Sequence, residues 1–570
     1  MREGDNMSDV NSTTVNTSGQ KTHKSRLAVI HETTLDSLRN MTAAELKDPE
    51  YVESKILNDV HLAIELENTG RANGDKWKHI SELLPSQIAD ILVNSYPIVR
   101  IAGAGKNADE DQDLIALYQY DGEQEGTYVT SNVMFRKLIR KYNYTITLRG
   151  AEEVMSAMLE QLPRVTVCQE RNLVAVNNGI FDYDTKLLLP FSEDYVFLTK
   201  SGVNYNPNAK NVVIHNPEDN TDWDVESWVK ELSDDPEVVN LLWEILGAII
   251  RPLVPWNKSA WFYSETGNNG KGTLCELMRQ LCGEGAYASI PLSDFGKDFM
   301  LEPLLRASSI IVDENDVGTY IDKAANLKAV ITGDTLSVNR KFKTPVAFNF
   351  RGFMVQCLNE MPRIKDKSDS FFRRQLFVPF TKCFTGQERK YIKTDYLHRQ
   401  DVLEYVMYKV LNMNYYTLSE PVACKLALEE YKDFVDPVRL FLSEMMPKVK
   451  WDLLPFEFLF DLYKAWYKDN AGNDKNLKGK PSFLKEVRQI IESNYPAWEV
   501  CGGPVKPGAR MNDAEPLIVE YNLDRWMNPD YRGSDRDKIC HPALSQSYRG
   551  LRRLVAQVGS DEDNWVLPDL

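Results

Sequence analysis

Apolar residues recur at helical spacing between Leu27 and Val93, at Leu57, Val60, Leu62, Ile64 and Leu66 and again at Ile80, Leu83, Leu84, Ile88, Ile91 and Leu92. That period predicts a small helical region over residues 29–110. From Leu114 to Tyr128 the pattern turns to strand-like alternation around Asp121-Gly122, a dipeptide suited to a hairpin turn. Helical segments then run to about Leu162, and residues 172–184 read as strand, turn and strand, so 111–222 is expected to be an α+β unit. Ser233-Asp-Asp-Pro236 is a helix-start signal for an apolar helix over 237–250. Short buried-strand runs at 261–264, 309–312, 352–357 and 375–380 predict an α/β core spanning 223–390. A helical linker or lid is expected over 391–450, and two amphipathic helices, 457–466 and 481–490, mark a last domain at 451–570. Residues 1–28, rich in Ser, Thr, Asn and Gly, cannot offset the entropy of ordering and read as a disordered tail.

Composition narrows the class. At 570 residues the chain exceeds what one core accommodates. Its 43% hydrophobic and 26% charged content is that of soluble globular protein, and no run approaches the roughly 20 apolar residues of a membrane span. Its first residues lack the basic-then-apolar layout of a secretory signal, so a cytoplasmic location is expected, with no membrane partner. Eight cysteines (Cys168, Cys275, Cys282, Cys357, Cys383, Cys424, Cys501 and Cys540) form no CxxC pair, which argues against zinc and disulfides. The net charge of −16 excludes a protein that coats nucleic acid over its whole surface, yet leaves room for a local basic channel. The carboxylate run at 109–113 reads as a solvated acidic loop rather than a nucleotidyl-transfer site.

Candidate chemistry is concentrated in the α/β core. The 261–264 strand runs into Glu265-Thr-Gly-Asn-Asn-Gly-Lys-Gly-Thr273 and then an apolar helix, the strand, Gly-rich loop and helix context of a phosphate-binding loop. Gly267, Asn269, Gly270 and Gly272 form the cradle, Gly267 and Gly270 letting backbone N–H groups turn toward phosphates, and Lys271 offers a charge to the β- and γ-phosphates. Glu265 stands where the first Gly is usual and Gly272 where a magnesium-binding hydroxyl is usual, leaving Thr273 as the candidate hydroxyl. The 309–312 strand ends at Asp313 and Glu314, suited to hold magnesium and to polarise an attacking water. The 352–357 strand delivers Asn359, an amide able to sense the γ-phosphate. Arg373 and Arg374 follow, either of which could reach a neighbouring subunit's nucleotide. Between them, Lys328 and a hairpin carrying Arg340, Lys341 and Lys343 suit a grip on a single strand's phosphates, with Phe342 available for stacking or for packing.

Taken in order, these segments resemble the superfamily 3 helicases, in particular the helicase part of phage, plasmid and mobile-island primase-helicases and the poxvirus primase-helicase family. The loop with Asn269-Gly-Lys271, the Asp313-Glu314 strand, the 328–345 segment, and Asn359 followed by Arg373-Arg374 carry the likeness, with 88 residues from Lys271 to Asn359. Residues 178–209 resemble the helicase-associated domain that precedes such motors, and 451–570 resembles their winged-helix domain, which either binds duplex origin DNA or caps the motor; Arg549, Arg552 and Arg553 offer it a second basic cluster. The resemblance implies an AAA+ fold, a hexameric ring, ATP and magnesium as cofactors, and 3′-to-5′ movement on single-stranded and forked DNA beside other replication proteins, in the cytoplasm of a bacterial host. Only about 110 residues precede the matching region and they carry no catalytic set, so no primer synthesis is expected. Two other classes compete: an AAA+ ATPase that remodels protein partners, and an origin-binding initiator whose motor serves only assembly.

Overall fold

The computed structural model describes residues 24–103, 110–321, 323–341, 343–471 and 477–554. Most of the tail expected over 1–28 lies outside these residues, and its end is already helical: helix Arg26–Arg39 is capped by the Ser25 hydroxyl, which accepts from the Ala28 N–H. Helices Pro49–Asn68 and Pro85–Ser95 pack beside it, burying Ile56, Val60, Ile64, Ile88 and Leu92. Strand Ile98–Ile101 pairs antiparallel with Leu114–Tyr118 and parallel with Arg164–Val165. The boundary expected at residue 110 therefore falls inside a single sheet. Nor is the acidic run solvated at its end: the Asp113 carboxylate is fully buried and paired with Arg100 at 2.6 Å and Arg164 at 2.8 Å. Burial opposes its charge, but these two guanidiniums and the Gly103 N–H hold its pKa below the usual carboxylate value.

Strands Leu173–Val176, Gly179–Asp182 and Leu187–Leu189 form an antiparallel sheet against the motor. A caged cation fastens it. The Arg251 guanidinium, 1% exposed, lies 3.4 Å from the Tyr183 ring centroid, with Tyr415 and Tyr416 alongside, and donates to the Tyr415 carbonyl at 2.9 Å.

The motor is a parallel sheet of five strands: β1 (Ser259–Tyr263), β2 (Tyr287–Ala288), β3 (Ser309–Val312), β4 (Phe353–Leu358) and β5 (Gln375–Pro379). Their spatial order is β2-β3-β4-β1-β5. Residues on both faces of β1, β3 and β4 are buried, as expected of a parallel sheet covered on two sides. From Leu241 to Ile250 every residue of helix Pro236–Ile250 is buried, packed against the Lys271–Cys282 and Gln400–Asn412 helices and β4, while Glu237 and Asn240 near its start are exposed. Helix Val422–Val435 packs on β5, placing Tyr431 against Trp261 and Phe377. Residues 400–435 are thus layers of the motor rather than the linker expected there: Val406, Met407, Val410 and Tyr431 form apolar faces buried in its core.

At the carboxyl end, strands Leu453–Pro455, Gly550–Arg553 and Trp498–Val500 form an antiparallel sheet packed on helices Phe456–Ala471 and Lys480–Asn494. Its core already includes Val438, Phe441 and Leu442, ahead of the boundary expected at 451. Residues 501–549 are an insertion between two paired strands, anchored by buried Leu517, Ile518 and Trp526. Of the basic cluster expected here, Arg552 pairs with Glu499 and Arg553 with Asp452, while Arg549 stays exposed. The whole is mixed α/β, and among the described residues no helix is long and apolar enough to cross a membrane.

Candidate active site

The site lies at the carboxyl edge of the motor sheet, where β1, β3 and β4 end side by side. Beyond β1 the chain turns through Asn268 (φ 54°) and Gly270 (φ 86°), both left-handed, before the Lys271–Cys282 helix starts. Gly270 has a double reason to lack a side chain: its backbone conformation disfavours one, and a Cβ would lie 2.5 Å from Leu232 Cδ2. At Gly267 a Cβ would meet nothing within 4 Å, so internal packing does not require glycine there. Asn269 is buried and braces the loop from within, its amide donating to the Thr266 carbonyl and its Oδ1 accepting from the Lys271 N–H.

Lys271 is 5% exposed, and its Nζ donates to Asn359 Oδ1 at 3.0 Å. The fold thus joins two sequence-predicted residues 88 positions apart. Burial lowers the Lys271 pKa from its ordinary value, because the ammonium has left water for a site without a carboxylate partner. Asp313 and Glu314, both exposed, follow the end of β3. Arg279, two turns into the loop helix, holds Asp313 Oδ1 at 2.9 Å, a pairing that the motif spacing did not signal. Asn315 was missed as well. Its buried amide donates to Gln356 Oε1 at 2.9 Å and to the Cys357 carbonyl at 3.1 Å, locking the end of β3 to β4. An Asn directly after two candidate acids was the available signal.

Beside the loop, a cavity of about 280 Å³ is walled by Trp228, Leu232, Phe384 and Ile392 and opens on Asn268, Gly270 and Thr273. Lys393 stands near its mouth, with Nζ 3.9 Å from the place a Cβ on Gly272 would occupy. Apolar walls beside the glycine-turned loop suit a flat ring such as a nucleobase, and sequence reasoning assigned none of these wall residues. A larger cleft of about 490 Å³ near Lys200 and Arg306 contains none of the motif residues.

Arg373 is exposed just before β5, whereas Arg374 folds back to donate to the Ser370 carbonyl. Lys328 lies on helix Ala324–Thr332, paired with Asp366 at 2.6 Å. Strands Thr335–Arg340 and Lys343–Asn349 form the expected hairpin, with Lys341 exposed at its turn; Phe342 and the Lys343 side chain lie outside the described residues. Burial lowers the Arg340 pKa, countered by the charge of Glu302. Gln112 of the N-terminal unit accepts from the Ala347 N–H at 3.0 Å, tying that unit to the hairpin edge.

A family of unknown function, DUF5906, matches residues 262–374, the stretch that holds every motif residue from Gly267 to Arg374. A second family, described as poxvirus D5 protein-like, matches residues 435–501, at the start of the C-terminal unit. The chain is 20% identical over 463 residues to a protein of Acanthamoeba polyphaga mimivirus named "Putative helicase L207/L206". This chain resembles the superfamily 3 primase-helicases. The mimivirus match covers 74% of the chain and 45% of the relative, so this primase-helicase-like chain spans less than half of that protein's length. Among solved structures, two of the NrS-1 C-terminal region in apo form are similar at 15% and 14% identity, with TM-scores of 0.39 and 0.40. They cover 81% and 83% of this chain, and 94% and 100% of the NrS-1 chains.

Proposed function

We propose that the chain is an ATP-driven DNA helicase with an AAA+ motor, working as a hexameric ring on single-stranded and forked DNA. One observation carries the reading: a buried lysine on a left-handed-turned glycine loop meets an asparagine from the adjacent strand, and a third strand ends beside them in two carboxylates. The strand order supports the AAA+ assignment, since the loop-bearing β1 lies between β4 and β5. The relative named as a helicase supports the activity.

In this reading Gly267, Gly270, Gly272 and Lys271 cradle the phosphates, Asn269 shapes the loop, and the apolar cavity takes the adenine. Magnesium fits the donor set in kind: Asp313 and the Thr273 hydroxyl are hard oxygen ligands, and such an ion takes its remaining ligands from phosphates and water. When bound, magnesium neutralises charge on the phosphates. Glu314 orients the water, Asn359 senses the γ-phosphate, and exposed Arg373 rather than folded-back Arg374 acts on the neighbouring subunit's nucleotide. The hairpin with Arg340, Lys341 and Lys343 grips the strand, joined by Lys328 from helix Ala324–Thr332, whose ammonium is paired with Asp366 in the absence of DNA. The C-terminal sheet and helices are read as a winged-helix-like module that either contacts duplex DNA at an origin or caps the motor. Polarity is taken as 3′-to-5′. Strand displacement on forks with a 3′ or a 5′ tail tests this reading: unwinding of the 3′-tailed fork alone supports it, and ATP hydrolysis indifferent to DNA sinks it in favour of a remodelling ATPase.

A further inference from the structure

Of the fifteen described Lys and Arg residues from Lys24 to Arg164, seven are ion-paired, and Arg26, Lys47, Lys76 and Lys78 are scattered singly or in a loop. Lys24, Arg39, Lys55, Arg71, Arg100, Arg149 and Arg164 each sit on a carboxylate. Arg136, Lys137, Arg140 and Lys141 differ: they follow one another along and just beyond helix Asn132–Ile139 without an intervening acid, and no ion pair involves them among the described residues. Three of the four are exposed, and spacing of one and four residues keeps them on one side of the helix. Tyr144, three residues on, is 85% exposed. Glu82, from the segment before helix Pro85–Ser95, accepts from the Asn143 amide and the Thr145 hydroxyl.

Favourable placement at a helix carboxyl terminus accounts for a cation or two, because that field fades within the last turn. It accounts neither for four cations nor for an aromatic ring left in water. In a chain of net charge −16 such a patch is a local reversal of sign, and a run of cations ending in an exposed ring matches a polyanion with accessible bases. We infer that Arg136, Lys137, Arg140, Lys141 and Tyr144 form a second contact for single-stranded DNA, outside the motor, with phosphates on the cations and an unpaired base on the tyrosine. Stacking requires an unpaired base, which selects a single strand over a duplex. The inference rests on the reading of the chain as a DNA-binding motor.

The test is fluorescence anisotropy of the full chain with a labelled oligothymidine, titrated at several salt concentrations. The variants are Arg136→Gln/Lys137→Gln/Arg140→Gln/Lys141→Gln together, and Tyr144→Ala alone, each checked by its melting temperature. The fourfold variant is expected to lower the slope of log affinity against log salt by about 2 to 3, at roughly 0.7 per lost phosphate contact. Tyr144→Ala is expected to weaken binding roughly tenfold with little change of slope. Should both variants bind as the native chain does while Lys341→Gln loses affinity, the patch is refuted and the motor reading stands. Equal losses on oligothymidine and on blunt duplex refute the single-strand assignment. A native chain that binds no DNA overturns both readings together.

Discussion

Lys271 and Gly270 have separable tasks, one electrostatic and one conformational. Lys271 is buried, no ion pair involves it among the described residues, and its ammonium donates to the Asn359 amide oxygen and the Ser264 carbonyl; in the proposed function phosphate supplies the counter-charge. Lys271→Ala is expected to abolish ATP hydrolysis in a steady-state phosphate-release assay. Asn359→Ala should cost roughly a hundredfold in kcat, the usual scale for one preorganised donor. Gly270→Ala acts differently. Its Cβ must adopt a left-handed conformation and displace Leu232, so thermal melting is expected to report a loss of about 1–3 kcal/mol even without nucleotide. An unchanged melting temperature would contradict the loop geometry.

Among the elements, those with a strong local signal were legible in sequence. The apolar runs read at 261–264 and 309–312 fall on strands Ser259–Tyr263 and Ser309–Val312, the helix after Pro236 announced its own cap, and the basic hairpin alternated as a hairpin should. What failed was assignment of elements to units. Strand Ile98–Ile101 is too short to break a helical period, and only its partners at 114–118 and 164–165 disclose it. The 400–435 helices read as a linker because amphipathicity gives a buried face without naming what covers it. The Arg279 to Asp313 pair and the cavity walls came together only through folding, since no spacing rule links Trp228 or Phe384 to the loop. In the C-terminal unit Glu515 is fully buried, and burial raises its pKa against the pull of the Lys450, Trp451 and Leu517 N–H groups. Between 4.5 and that raised value the folded chain holds a proton which the unfolded chain releases. Stability from this group is therefore full below 4.5 and falls as pH rises through the window. Glu515→Gln should flatten that segment of a melting-temperature profile against pH.

At the scale of the whole molecule, the proposed ring makes hydrolysis depend on two chains at each site. Arg373 is exposed, while Arg374 is tethered to Ser370. Arg373→Ala should lower hydrolysis by roughly a thousandfold or more, the usual contribution of a trans-acting arginine, and Arg374→Ala by far less. Mixing Arg373→Ala chains with Lys271→Ala chains should then restore part of the activity, because some interfaces pair an intact loop with an intact arginine. Mixtures as inactive as their components would place the arginine in its own subunit's site.

The central claim, that nucleotide hydrolysis drives strand separation, is tested most directly by displacement of a labelled strand from a 3′-tailed fork, read together with phosphate release. The account predicts that the native chain displaces the strand, that Lys271→Ala loses both signals, and that Lys341→Ala loses displacement by a far larger factor than hydrolysis. Vigorous phosphate release that ignores DNA, with no strand displaced by the native chain, would contradict it.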